Sequence, residues 1–233
     1  MRSHLAFIAL AGCGGFDAPR SDSNIADQTA AIRARMHLRF SATTTARNAI
    51  ESGDLEQARA AGRMIEALGE PDIMAAWQPY VSNVRRAAGE LVTASDLSIA
   101  AHKLATIGER CADCHIASHS RVFIGTSTAP GPDQRPSGNM GTHHWAAGRM
   151  WDALLANSES TWLAGAETLE AAPLTIVAEG EVPGHELGIA DDVARVRLLA
   201  RRAAKARTNH ERAEIFGDLL STCVNCHLTI RDR

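Results

Sequence analysis

Two five-residue stretches carry the residue types and spacing that could do chemistry: Cys111-Ala112-Asp113-Cys114-His115 and Cys223-Val224-Asn225-Cys226-His227. Both read C-x-x-C-H, the pattern at which a c-type haem is attached. Two thiols one helical turn apart can each form a thioether to a haem vinyl group. The His that follows then sits under the iron as its proximal ligand. Paired C-x-x-C also occurs as a redox dithiol and as a structural zinc site. A zinc site made from both motifs would have to bridge two distant stretches of chain and leave each His unexplained. A thioredoxin-like dithiol needs a βαβ context that the sequence lacks. Haem is the reading that uses every residue of both motifs.

The elements that must position these motifs form a repeat. Ala101, Leu104, Ile107 and Cys111 recur at three- and four-residue steps, and Ala213, Phe216, Leu219 and Cys223 occupy the same places at an offset of 112. Each set makes one apolar stripe leading to a motif. Thr208 and Glu211 make a capping box at the start of the second motif helix. Upstream, the offset is 104. Met36 aligns with Met140, Asn48-Ala49-Ile50 with Asp152-Ala153-Leu154, and Ala60-Ala61-Gly62 with Ala164-Gly165-Ala166. The eight extra residues of the second unit fit in the Gly- and Pro-containing stretch Pro173 to Gly188, which replaces the short Gly69-Glu70-Pro71 turn.

Each unit then reads as four helices: 25–51, 55–68, 73–92 and 97–116 in the first, and 140–156, 159–171, 189–206 and 209–230 in the second. Pro79 predicts a kink or late start in the third helix. Residues 125–139, with three Pro and three Gly among polar residues, read as the linker. The expected fold class is all-α: two consecutive antiparallel four-helix bundles, 25–124 and 140–233, each binding one c-type haem between its helices.

Composition agrees. Hydrophobic residues make up 45% and aromatics only 4%, and alanine-rich sequence favours helix. The net charge is −3 with no block of like charge, so nucleic acid is not an expected partner. No run reaches the roughly 18 apolar residues of a membrane span. The haem motifs consume four of the five Cys and leave Cys13. Residues 1–12 have the layout of a signal peptide. Leu10-Ala11-Gly12-Cys13 resembles a bacterial lipobox, which implies lipidation of Cys13, a tether over 13–24 and attachment to the periplasmic side of a bacterial membrane. Gly14 carries no inner-membrane retention cue, so the outer membrane fits that resemblance.

With these motifs in place, the chain resembles a duplicated cytochrome c′/cytochrome c556 family. That resemblance implies a four-helix bundle with C-x-x-C-H near the end of helix four. It also implies a basic residue four positions after the haem His, touching a haem propionate. Arg231 stands at that spacing from His227, whereas the first unit has His119 there, with Arg121 two further on. In c556-like members a Met of helix one ligates the iron on the distal side, so Met36 and Met140 are the candidate distal ligands. In c′-like members that face is apolar and the iron five-coordinate. His144, four residues after Met140, is the rival ligand for the second haem, and Phe40 is its counterpart in the first unit. Met64, Met74 and Met150 lack a counterpart and read as core. The four Trp read as core, and Arg197, Arg201 and Lys205 as a solvated helix face.

The expected cofactors are therefore two covalently bound c-type haems, on Cys111, Cys114, Cys223 and Cys226, with His115 and His227 as proximal iron ligands. The expected function is a di-haem electron carrier serving periplasmic or membrane redox proteins, not an enzyme. The alternative is a c′-like protein that binds or senses NO or CO at a five-coordinate haem. A di-haem peroxidase is disfavoured because no acid/base constellation is visible. Members of the family often dimerise, which makes a homodimer an expected assembly.

Overall fold

The structure, a computed structural model, describes residues 22–69, 75–130, 138–172 and 186–231. The expected signal peptide, Cys13 and most of the expected tether lie outside the described residues. The regular elements found are helices: α1 (Asp22–Glu51), α2 (Leu55–Ala67), α3 (Gln78–Val92), α4 (Leu97–Ala117), α5 (Gly138–Ala156), α6 (Glu159–Ala171), α7 (Glu186–Ala203) and α8 (Asn209–Arg231). The chain is all-α, and no described helix is long and apolar enough to cross a membrane.

The chain divides into two compact units, residues 1–37 and 38–233. The first is helical from Asp22 onward, and Met36 within it is half-buried. The second holds the other seven helices and the rest of α1.

Local chemistry explains the helix ends. Pro79 falls at the start of α3, which begins late, after a single 3₁₀ turn at Ala75–Trp77. A proline costs no hydrogen bond there, because the first amides of a helix have no partner. Asp96 caps α4 by accepting from the Ile99 amide at 2.8 Å. Its counterpart at the offset of 112, Thr208, accepts from the Glu211 amide at 3.1 Å, and Glu211 accepts from the Thr208 amide at 3.0 Å. That is the reciprocal pair of a capping box.

The repeat is written into the hydrogen bonds. Gly53 and Asn157 take φ of 81° and 52° just past the ends of α1 and α5, where a left-handed residue closes the last turn. The Asp54 amide donates to the Ala49 carbonyl, and the Ser158 amide to the Ala153 carbonyl. Arg39 donates to the Leu68 carbonyl at 2.7 Å, and His143 bonds the Ala172 carbonyl at 3.3 Å. Each pair is related by the offset of 104.

The two repeats meet along α4 and α8. Ser98 Oγ and Ser221 Oγ lie 2.8 Å apart, His102 Nε2 lies 3.2 Å from Asp218 Oδ1, and His210 Nδ1 lies 3.3 Å from Glu109 Oε1. As numbers rise on one helix they fall on the other, so the seam is antiparallel. Gly217 lets α8 come close, since a Cβ there would stand 3.1 Å from the His102 Cα. One apolar cluster takes in Ile50, Ile65, Leu91, Leu104 and Ile107 together with Met150, Trp151, Trp162, Leu199 and Phe216. Trp162 is fully buried and donates to the Ala203 carbonyl at 2.8 Å. Trp151 stacks on Phe216, ring centroids 5.3 Å apart. Met150 joins this core as expected. Met64 does not: it is 59% exposed, because α2 buries the stripe Ala58, Ala61, Gly62 and Ile65, and position 64 lies off it. Met74 lies outside the described residues.

Candidate haem-attachment sites

Each motif is helical throughout, in the last turns of α4 and α8. Positions i, i+3 and i+4 of a helix share one face. Cys111, Cys114 and His115 therefore face one way, as do Cys223, Cys226 and His227. Cys111 and Cys223 pack against the apolar cluster. None of these four cysteines is in a disulfide. Burial pushes the Cys111 and Cys223 thiols up to about 12. Such thiols stay protonated and unactivated, unlike the low-pKa cysteine of a redox dithiol.

The two histidines are held alike. His115 Nδ1 lies 2.8 Å from the Leu155 carbonyl, and His227 Nδ1 lies 2.8 Å from the Glu51 carbonyl. A carbonyl only accepts, so in both rings Nδ1 is the donor, and in the neutral ring that leaves the lone pair on Nε2. Burial, opposed by the carbonyl bond, holds His115 below the ordinary histidine value, which favours the neutral ring. The acceptors have their own reason to be there. Leu155 and Glu51 close α5 and α1, and the last four carbonyls of a helix have no partner within it. Each motif histidine satisfies one of them. The partners are crossed: the motif of the first repeat is anchored on the first helix of the second, and the reverse.

The surroundings differ. Glu51 is largely buried and pairs with Arg47 at 3.4 Å and with His144 Nδ1 at 3.3 Å. Its bond holds His144 above the ordinary histidine value. Glu51 thus carries His227 on its carbonyl and His144 on its carboxylate. In the first site the position of Glu51 is filled by Leu155 and that of Arg47 by Trp151, which is fully buried.

The other expected residues stand as follows. Met140 lies in the first turn of α5 and is 37% exposed. Met36 lies on α1 in the N-terminal unit. Arg231 is the last residue of α8, and its side chain lies outside the described residues. His119 is exposed with φ of 52°. Among the described residues no three His, Cys, Asp or Glu side chains gather around one point as in a bare-ion cage. A haem iron asks only one ligand of that set. The donor chemistry fits haem: two thiols and a histidine share one face, and the histidine tautomer is fixed for Nε2 ligation. Glu51, Arg47 and the Leu155 carbonyl carry no motif of their own. The offset of 104 is the one signal that would have paired Glu51 with Leu155.

No family model, curated protein or solved structure matches the chain.

Proposed function

We propose that the protein is a di-haem c-type cytochrome that carries single electrons, built as two cytochrome c′/c556-like four-helix bundles. The observation that carries this reading is the duplicated histidine geometry. Two C-x-x-C-H motifs, at an offset of 112, each present a histidine with Nδ1 donating to a helix-end carbonyl and Nε2 left over. Satisfying a helix-end carbonyl accounts for Nδ1 alone, whereas an iron ligand needs its ring fixed and Nε2 kept for the metal, and both motifs supply that arrangement.

Cys111 and Cys114 would hold one haem and Cys223 and Cys226 the other, with His115 and His227 on the irons. When bound, the haem supplies reversible one-electron chemistry at a potential set by ligand, burial and hydrogen bonds. The chain supplies the rest. The carbonyls of Leu155 and Glu51 make each imidazole a better donor and keep it from rotating. The apolar cluster against Cys111 and Cys223 keeps water from one side of each site. Met36 and Met140 are the proposed distal ligands, with His144 as the rival at the second site. Lipidation of Cys13 would tether the chain on the periplasmic side, where membrane and soluble redox proteins are its partners.

The test is expression with a c-type haem maturation system. Two haems per chain should survive acid–acetone extraction, and Cys111→Ser/Cys114→Ser should lose half of them. A chain that matures without covalent haem refutes the reading. Low-spin ferric spectra with a sulfur-to-iron charge-transfer band support Met ligation. A high-spin ferric haem that takes up NO or CO on reduction assigns that site to the gas-binding alternative instead.

A further inference from the structure

We propose that the two motifs are independent one-electron sites at opposite ends of the α4–α8 seam, so that the protein is a two-ended carrier and not a wire. The inference rests on the haem reading above and adds a spatial claim to it.

The register of the seam fixes the separation. Ser98 meets Ser221 and Glu109 meets His210. His115 lies beyond Glu109, in the last turn of α4 and past the level at which α8 starts. His227 lies beyond Ser221, past the start of α4. From His115 back to Ser98 is seventeen residues of α4, and from Ser221 on to His227 is six of α8. At a rise of about 1.5 Å per residue the two histidines stand roughly 35 Å apart along the seam. The seam cannot be steeply crossed, because three pairs spread over α4 residues 98–109 all touch α8.

The crossed anchors do not shorten the path. From the Leu155 carbonyl, which holds His115, the chain runs eleven residues back along α5 to His144 before reaching Glu51 and His227. Between the two ends lies the apolar cluster, with Trp151 stacked on Phe216. Neither ring is a redox group at the potentials of c-type haem. Tunnelling falls exponentially with distance, so over this span direct exchange is too slow to join the sites into a relay.

Each site must then do its own trade. With haem bound, each site would take one electron from a reduced redox protein, which is thereby oxidised, and pass it to an oxidised one. No bond forms or breaks. Two ends far apart also give two separate docking faces, so two partners can engage one chain at once.

The test uses the haem-loaded full chain, with haem content measured first. Absence of haem overturns both this inference and the reading it rests on, whereas close haems overturn this one alone. The expected results are a Soret circular dichroism band without a bisignate couplet, and a pulsed-EPR separation of the two ferric centres near the seam length. A couplet, or a separation of half that length or less, refutes independence. Cys111→Ala/Cys114→Ala should lose one haem and leave the midpoint potential of the other unshifted; a shift counts against the proposal. If that variant fails to fold, the two measurements on the intact protein decide.

Discussion

Gly217→Ala tests the seam that sets the two sites apart. An added Cβ would stand 2.8 Å from His102 Cδ2 and 3.1 Å from His102 Cα. Carbon atoms sit comfortably at about 3.5–4.0 Å. The ring cannot simply swing away, since Nδ1 is bonded to the Ser98 carbonyl at 2.9 Å and Nε2 to Asp218 at 3.2 Å. The Cα cannot move without α4 itself, so the helices must part by several tenths of an ångström. Overpacking of this kind costs about 1–3 kcal/mol. Alanine recovers about 1 kcal/mol of that through helix propensity. Gly141→Ala supplies the reference, because its Cβ would meet nothing within 4 Å on α5. That variant should gain up to about 1 kcal/mol by the same propensity. Subtracting one from the other leaves the seam term alone, a gap of about 1–3 kcal/mol in urea unfolding followed by circular dichroism. Two alanine variants of equal stability would mean that α4 and α8 do not approach closely at Gly217, and the register argument would fall with them.

Two further outcomes follow from buried polar groups. His143 is buried, and burial, ahead of the Arg197 charge, holds it below the ordinary histidine value. The unfolded chain therefore takes up a proton first as pH falls. Stability should drop with pH from about 6.5 downward, until the lowered folded value is passed. His143→Gln should flatten that limb in unfolding titrations, and an unchanged limb would place its origin elsewhere. Arg47→Met strands the largely buried Glu51 carboxylate, leaving His144 as its remaining charge partner. Breaking a buried pair from one side costs up to about 3–5 kcal/mol, and the exposure of His144 puts the expected loss at the low end. Thermal melts showing no loss would mean that the ion pair does not hold in solution.

The helices are legible in the sequence because their signals are local. Stripes such as Ala101, Leu104, Ile107 and Cys111 have helical period, and Thr208 with Glu211 names its own capping box. Pro79 marks the late start of α3 for a reason of covalent geometry. Met64 reads as core by residue type alone, although the stripe through Ala58, Ala61 and Ile65 already excludes it. The acceptors of the motif histidines are invisible for a different reason. A backbone carbonyl has no residue type, so nothing at Leu155 or Glu51 announces that it holds an imidazole. The crossing of the anchors is equally hidden. It depends on which helices meet across the repeat, and the contact of α4 with α8 is made by small or ordinary residues such as Ser98, Gly217 and Ser221.

The differences between the two sites carry more information than their likeness. At the offset of 104, Arg47 answers to Trp151, Glu51 to Leu155 and Phe40 to His144. Two of these positions lie on the first helix of each repeat at the end that receives a motif histidine, and the third reaches the second site from across it. The carbonyl anchor is indifferent to the side chain that bears it, so Leu155 and Glu51 do the same work at 2.8 Å. The side chains are not free to vary one at a time. A carboxylate that is largely buried needs compensating charge, and the second site supplies it with Arg47 on the same helix and His144 from α5. An apolar Leu155 needs none, and Trp151 fills the core in place of the guanidinium. The backbone therefore fixes what both sites must share, the orientation of the imidazole. The side chains around the anchor differ as a set, Arg47, Glu51 and His144 at one site against Trp151 and Leu155 at the other, and that set is where one repeat differs from the other.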